Sequence, residues 1–201
     1  MGLYLVRHGE TDWNLSSRIQ GQTDIPLNDN GRAQARELSA AVRQRGLSPG
    51  RIYTSRMLRA RETADIVAAD LGMEARILEG VHEINMGAWE GYTWRQVREE
   101  FPQDYEKWYC NRRYQIPPGG ESYEQLLARV VPAMRKAAKE QGDSLIITHS
   151  AVIMTLLSYL NGTPFADMAK NFKTKNTELV KLGEDMVCIL EQAPWGGDGK
   201  E

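Results

Sequence analysis

Short apolar runs alternate with longer amphipathic segments along this chain, and that order limits the folds open to it. Residues 2–6 (Gly-Leu-Tyr-Leu-Val) and Ser144-Leu145-Ile146-Ile147-Thr148 are apolar and rich in β-formers, so they read as buried strands. Ile52-Tyr53-Thr54 and Arg76-Ile77-Leu78 are shorter strand candidates. Between them, residues 31–45 repeat apolar side chains at helical spacing (Ala35, Leu38, Ala41, Val42) and stop at Gly46. Ser55 is the expected cap of a helix that runs to about Leu71 and closes at Gly72. The aromatic-rich stretch from Trp89 to Tyr114 suggests two helical pieces around Pro102, and Pro117-Pro118-Gly119-Gly120 is a loop. Residues 122–140 and 151–160 are further helices, and Glu178–Leu182 with Met186–Leu190 suggests a closing hairpin around Gly183-Glu184-Asp185. Strands alternating with helices predict a three-layer α/β/α sandwich around a mostly parallel central sheet.

Composition narrows the class. The 201 residues carry 25 Lys+Arg against 27 Asp+Glu, so a net charge of −2 gives no bulk attraction to nucleic acid or to an anionic membrane. No run is long enough to span a bilayer, and the apolar start meets Arg7 too early for a signal peptide. Cys110 and Cys188 are too few to staple a fold of this length and lack metal-ligand spacing, which places the chain in a reducing, cytoplasmic setting. One domain over residues 1–193 is expected, with a lid segment at about 89–120 and a frayed tail at 194–201. The sequence leaves the oligomeric state open, a homodimer included.

Two of the three histidines follow the two strongest strands. His8 comes after residues 2–6 and His149 after residues 144–148. In an open α/β sheet, ligands bind beyond the carboxyl ends of the strands, so these histidines meet there if their strands are adjacent. Arg7 and Gly9 flank His8: the arginine supplies a fixed cation, and the glycine permits close backbone approach. A histidine acting only as a general base needs no cation beside it. One that attacks phosphorus needs its target's charge neutralised. A metal site drawing on His8, Glu10, Asp12 and His149 is disfavoured by the flanking arginines, and no cofactor is implied.

Arg7-His8-Gly9-Glu10-Thr11, followed by Trp13-Asn14, resembles the signature of the histidine phosphatase superfamily, which includes the cofactor-dependent phosphoglycerate mutases. The likeness continues through Gln20-Gly21, through Pro26-Leu27 with Gly31, and through Tyr53-Thr54-Ser55-Arg56-Met57-Leu58-Arg59-Ala60 with Glu62-Thr63-Ala64. It extends to Glu83-Ile84 with Gly87 and Trp89-Glu90-Gly91, and to Thr148-His149, where Ser150 replaces the usual glycine. The resemblance implies a phosphoglycerate mutase-like fold and attack by His8 on phosphorus to form a phosphohistidine. It implies Arg7, Arg59 and His149 around the equatorial oxygens, and Asn14, Gln20, Gly21 and Ser150 as further phosphate contacts. Glu83 takes the role of general acid and then base. His82 is expected to point away from Glu83 as a structural residue. Arg112 and Arg113 resemble the mutase pair that holds a substrate carboxylate, whereas Pro118-Gly119-Gly120-Glu121-Ser122 is typical of the phosphatase branch. The expectation is therefore a hydrolase of small phosphomonoesters, with a mutase as the alternative and a non-catalytic phospholigand-binding protein as a remote one.

Overall fold

The computed structural model describes residues 2–192; the expected tail at 194–201 lies outside the described residues. A five-stranded sheet forms the centre, in the order β3-β2-β4-β1-β5. Its strands are β1 (Leu3–Arg7), β2 (Arg51–Thr54), β3 (Ala75–Ile77), β4 (Ser144–Thr148) and β5 (Leu179–Lys181). The first four are parallel, and β5 pairs antiparallel with β1 at the edge.

Successive strand residues face opposite layers, and the two cores show this alternation. Tyr4, Val6, Ile52, Leu145 and Ile147 pack with Leu38 and Val42 of α2 (Asp29–Gln44) and with Ala60, Ala64 and Val67 of α3 (Leu58–Leu71). Leu3, Leu5, Tyr53 and Ile146 face the other way. They pack with Leu126, Val130 and Met134 of α6 (Tyr123–Ala138) and with Val152, Ile153 and Leu156 of α7 (Ser150–Leu160). These are the three layers that the strand–helix alternation predicts.

The remaining elements decorate this frame. A single turn, α1 (Asp12–Leu15), follows β1 and is closed by a capping box between Thr11 and Asn14. The aromatic stretch forms α4 (Trp94–Glu100) and α5 (Pro102–Cys110), with Pro102 at the first position of α5, where its missing N–H goes unneeded. A 3₁₀ turn at Phe165–Asp167 and the short α8 (Met168–Phe172) follow α7. Cys110 and Cys188 are both free thiols and both exposed. Among the described residues no helix is long and apolar enough to cross a membrane.

Two expectations are corrected. The closing hairpin is absent: β5 pairs only with β1, and residues Glu184–Gln192 form a helix, α9. Met186, Val187 and Leu190 recur at helical spacing and pack into the larger core, and the Leu190 carbonyl accepts from Arg135 Nε at 2.6 Å. A short apolar run fits either structure locally, and docking decides between them. Ser55 does not cap α3 either. Met57 occupies the cap position without a side-chain bond, and the Ser55 hydroxyl is used elsewhere.

Candidate active site

The register of β1 and β4 creates the site. Arg7 stands opposite Thr148, and the His8 N–H donates to the Thr148 carbonyl at 2.9 Å, so the next residue on each strand is a histidine. The imidazole centroids of His8 and His149 are 5.2 Å apart with planes tilted by 57°. Both rings are buried at the carboxyl end of the sheet. Close approach by Gly9 permits this geometry, because a Cβ there would lie 2.5 Å from the Gly31 carbonyl oxygen.

Each ring is oriented. His8 Nδ1 lies 2.7 Å from the Gly9 carbonyl oxygen, an acceptor only, so Nδ1 carries the proton and Nε2 presents a lone pair. His149 Nε2 lies 2.8 Å from the Ser55 hydroxyl, which also accepts from the Met57 N–H at 3.1 Å. The hydroxyl proton is thus free to go to Nε2, which leaves His149 Nδ1 as a buried N–H donor without a protein partner. Burial holds His8 well below the ordinary imidazole range, and the charges of Arg59 and Arg7 push the same way. Burial, Arg59 and His8 do the same to His149. Both rings are therefore neutral at physiological pH, as a nitrogen nucleophile requires.

Arg7 and Arg59 provide a local positive potential that the near-zero net charge conceals. The Arg7 guanidinium donates to the Thr174 carbonyl at 2.8 Å. Fully buried Arg59 donates to the carbonyls of Thr23 at 2.9 Å and Gly21 at 2.7 Å. The Nε of each is buried without a partner, and neither is paired with a carboxylate at contact distance among the described residues. The loop that Arg59 grips is also held by Glu90, whose carboxylate accepts from the N–H groups of Gln22, Thr23 and Met86 and from the Thr23 hydroxyl. Gly21 adopts φ +50°, and a Cβ there would stand 2.0 Å from Glu90 Oε1, so this turn requires glycine.

Glu83 faces this cluster from the loop after β3. It is 8% exposed; Oε1 accepts from the Ile84 N–H at 3.0 Å and Oε2 from the Ala151 N–H, in the first turn of α7, at 3.4 Å. Burial raises its pKa, the dominant effect, while Arg59, Arg7 and the two N–H groups pull it down. Its backbone is fixed by Arg129, which donates to the carbonyls of Gly80, His82 and Glu83 at 2.8, 2.6 and 2.9 Å and pairs with Glu121 at 2.6 Å.

Arg7, His8, Asn14, Gln20, Gly21, Glu83 and Ser150 line one cavity of about 190 Å³; Arg59 and His149 are fully buried and do not line it, but Arg59 bonds the Gly21 carbonyl at 2.7 Å and the His149 ring lies 5.2 Å from that of His8. The remaining wall of the cavity includes Ile19, Ile84, Met86, Trp94, Tyr123 and Met154. Asn14 spends its side-chain oxygen on the Thr11 N–H and receives Asn176 Nδ2, whereas buried Gln20 Oε1 has no partner. Half-buried His82 lines a separate cavity with Asp24 and Arg56 and is held down to about 4 by burial and by Arg129. Arg112 and Arg113 line another cavity. Sequence reasoning missed Ser55, Glu90 and Arg129. Ser55 and Glu90 sit inside the recognised blocks, but Arg129 carries no local signal. No group of three or more His, Cys, Asp or Glu among the described residues is arranged to hold a metal.

Comparison with known proteins places this geometry in a family context. The family model for the histidine phosphatase superfamily (branch 1) matches residues 3–186. A probable phosphoglycerate mutase of Serratia proteamaculans is 32% identical over 98% of this chain and 88% of its own. A metal-independent phosphoserine phosphatase of Arabidopsis thaliana is 33% identical over 84% of this chain and 71% of its own. Among solved structures, the VO3 complex of a mycobacterial glucosyl-3-phosphoglycerate phosphatase superposes with a TM-score of 0.79 at 29% identity, covering 90% of this chain and 92% of the other.

Proposed function

Because the chain belongs to the histidine phosphatase superfamily, we propose that it is a phosphomonoesterase that hydrolyses a small phosphorylated metabolite through a phosphohistidine on His8. The observation that carries this reading is the His8 ring itself. Nδ1 is anchored on the Gly9 carbonyl, Nε2 is free and neutral, and two arginines, half-buried Arg7 and fully buried Arg59, stand beside it without contacting carboxylates among the described residues. A neutral nitrogen nucleophile beside two arginines suits attack on a dianionic phosphoryl group.

In the first half-reaction, the His8 Nε2 lone pair attacks phosphorus, the bond from phosphorus to the ester oxygen breaks, and protonated Glu83 gives its proton to the departing oxygen. In the second, the Glu83 carboxylate takes a proton from water. The water oxygen attacks phosphorus, and the N–P bond breaks to release inorganic phosphate and neutral His8. Arg7, Arg59 and the His149 Nδ1–H meet the equatorial oxygens, with Asn14, Gln20, the Gly21 backbone and Ser150 completing the donor ring. The burial that raises the Glu83 pKa supports the acid role, since a carboxyl must be protonated to begin the cycle.

Hydrolysis is favoured over isomerisation by the position of Arg112 and Arg113. The pair that resembles the mutase carboxylate clamp lines a different cavity; Arg18, which does line the catalytic one, has its guanidinium donating to the Gly91 carbonyl at 2.6 Å. The apolar wall of Ile84, Met86, Trp94 and Met154 instead suits a leaving group with an apolar face. The two exposed free thiols fit a reducing, cytoplasmic compartment. Incubation with 3-phosphoglycerate, with free phosphate and 2-phosphoglycerate both measured, tests hydrolysis against transfer. Conversion to 2-phosphoglycerate with little phosphate released would overturn the hydrolase reading. An acid-labile, base-stable phosphoenzyme should form in the parent and be absent in His8→Ala.

A further inference from the structure

Residues 173–178 join α8 to β5 and belong to none of the sequence blocks around the catalytic groups, yet they touch three residues of the site. The Thr174 carbonyl receives the Arg7 guanidinium at 2.8 Å, and the Thr177 N–H donates to the Arg7 carbonyl at 2.9 Å. Between these contacts in the chain is Asn176, which is half-buried and does not line the catalytic cavity. Its Nδ2 donates to the His8 carbonyl at 2.8 Å and to Asn14 Oδ1 at 3.4 Å. Both partners are acceptors, so they fix which way the Asn176 amide points, and its nitrogen has a hydrogen for each.

The first of these bonds holds the nucleophile's own peptide. The unit joining His8 to Gly9 is gripped on both sides, its carbonyl by Asn176 and its N–H by Thr63 Oγ1 at 2.9 Å. Thr63 in turn donates its hydroxyl to the Arg59 carbonyl at 2.7 Å. The next carbonyl along, that of Gly9, is the acceptor that keeps the proton on His8 Nδ1 and leaves Nε2 bare. A glycine carbonyl swings easily, because no side chain restricts it, and a peptide fixed on both sides prevents the swing. The second bond acts on Asn14. Its Oδ1 also accepts from the Thr11 N–H and hydroxyl, both at 3.1 Å, so its side-chain nitrogen is the group left for the cavity that Asn14 lines.

The backbone bends sharply to bring Asn176 there. Thr177 has φ +55°, a left-handed conformation that β-branched residues rarely adopt. Its N–H is held on Arg7 and its hydroxyl on the Asn176 carbonyl at 2.8 Å. Two residues later β5 begins its pairing with β1. Strain of this kind persists only where the surroundings hold it, and it gathers at functional sites.

We propose that Asn176 is a positioning residue for phosphoryl transfer. Through the His8 carbonyl it keeps the imidazole in its attacking tautomer and direction, and through Asn14 it aims a neutral donor at the phosphoryl group. It touches neither the substrate nor the reacting atoms. This rests on His8 being the nucleophile.

Single-turnover mixing of p-nitrophenyl phosphate with the full chain in excess tests it, because release of p-nitrophenolate then reports attack by His8 alone. Asn176→Leu is similar in size and lacks both N–H groups; it should slow this step by about tenfold or more. Asn176→Asp has the same shape but presents oxygen to two acceptors, and should slow it as much. In an Asn14→Ala background one of the two targets is already gone, so the loss from Asn176→Leu should shrink to about threefold. Urea unfolding gives the stability of each variant, and Asn176→Ala keeps the test open if the larger changes do not fold. Folded variants that lose stability but keep a single-turnover rate within about twofold of the parent would make Asn176 an anchor of β5 only and overturn the proposal. So would Asn176→Asp turning over as fast as the parent. A parent that forms no phosphohistidine overturns the nucleophile reading and this inference with it. A parent that forms it, with variants equally fast, overturns this inference alone.

Discussion

Replacing Glu83 with Gln separates the two roles assigned to this carboxyl. Gln keeps an oxygen for the Ile84 N–H at 3.0 Å and gives up the longer 3.4 Å contact to Ala151, so the loop should keep its shape. What is lost is the proton. General acid–base catalysis is worth about 10²–10⁴ in rate, or about 2.7–5.4 kcal/mol at 1.36 per decade. With an alkyl phosphate, whose leaving oxygen needs protonation, Glu83→Gln should lower kcat by about that range. With p-nitrophenyl phosphate the leaving group departs unaided, so the first step should survive while hydrolysis of the phosphohistidine stalls. Rapid mixing should then show a burst of p-nitrophenolate close to one equivalent of enzyme, followed by a slow steady rate.

The same substitution has a stability signature with a definite sign. Glu83 has a folded pKa above its ordinary value, so the folded state holds the proton more tightly than the unfolded chain. Below the unfolded value near 4.5 both states are protonated and the parent carries no penalty. As pH rises from there towards the folded pKa, the parent loses about 1.4 kcal/mol per pH unit from this group. Denaturant unfolding should therefore show Glu83→Gln gaining on the parent across that window and level above it. Equal losses with both substrates, no burst, and a stability difference independent of pH would together refute the acid–base assignment.

Three further outcomes follow from the geometry. Ser55→Ala leaves His149 Nε2 and the Met57 N–H without their partner; kcat/KM should fall by about tenfold, and each unpaired group should reduce stability by about 1–3 kcal/mol in urea unfolding. Arg129→Met removes the guanidinium that holds the carbonyls of Gly80, His82 and Glu83; about 2–4 kcal/mol should be lost, with kcat falling more than KM rises, and Arg129→Lys should recover part of both. Gly21→Ala places a Cβ against Glu90 at φ +50°; left-handed strain alone costs roughly 1–2 kcal/mol, and displacement of Glu90 should weaken substrate binding, seen as a higher KM.

The layered fold and much of the candidate site were legible because their signals are local. Apolar runs of strand length, helical spacing at Ala35, Leu38 and Val42, and the blocks around Arg7-His8-Gly9, Arg59, Glu83 and His149 can all be read within a few residues of one another. The last helix was not legible, because residues 186–190 satisfy a strand as well as a helix until α9 docks on the larger core. Ser55 looked like a cap because serine caps helices, but its hydroxyl is drawn to His149, 94 residues away.

By itself, then, the sequence determined that two histidines would each follow a buried strand, and that arginines would stand with them in an otherwise balanced chain. Tertiary structure decided that the two strands are neighbours: the Arg7–Thr148 register brings the rings to 5.2 Å, and no local pattern encodes a hydrogen-bond partner about 140 residues distant. It also decided how the arginines divide. Half-buried Arg7 and fully buried Arg59 stand beside neutral imidazoles, while Arg112 is stacked on Trp108 and Tyr109 at a different cavity. Charge is a property of the residue, but which groups share a low-dielectric space with it depends on how the layers pack.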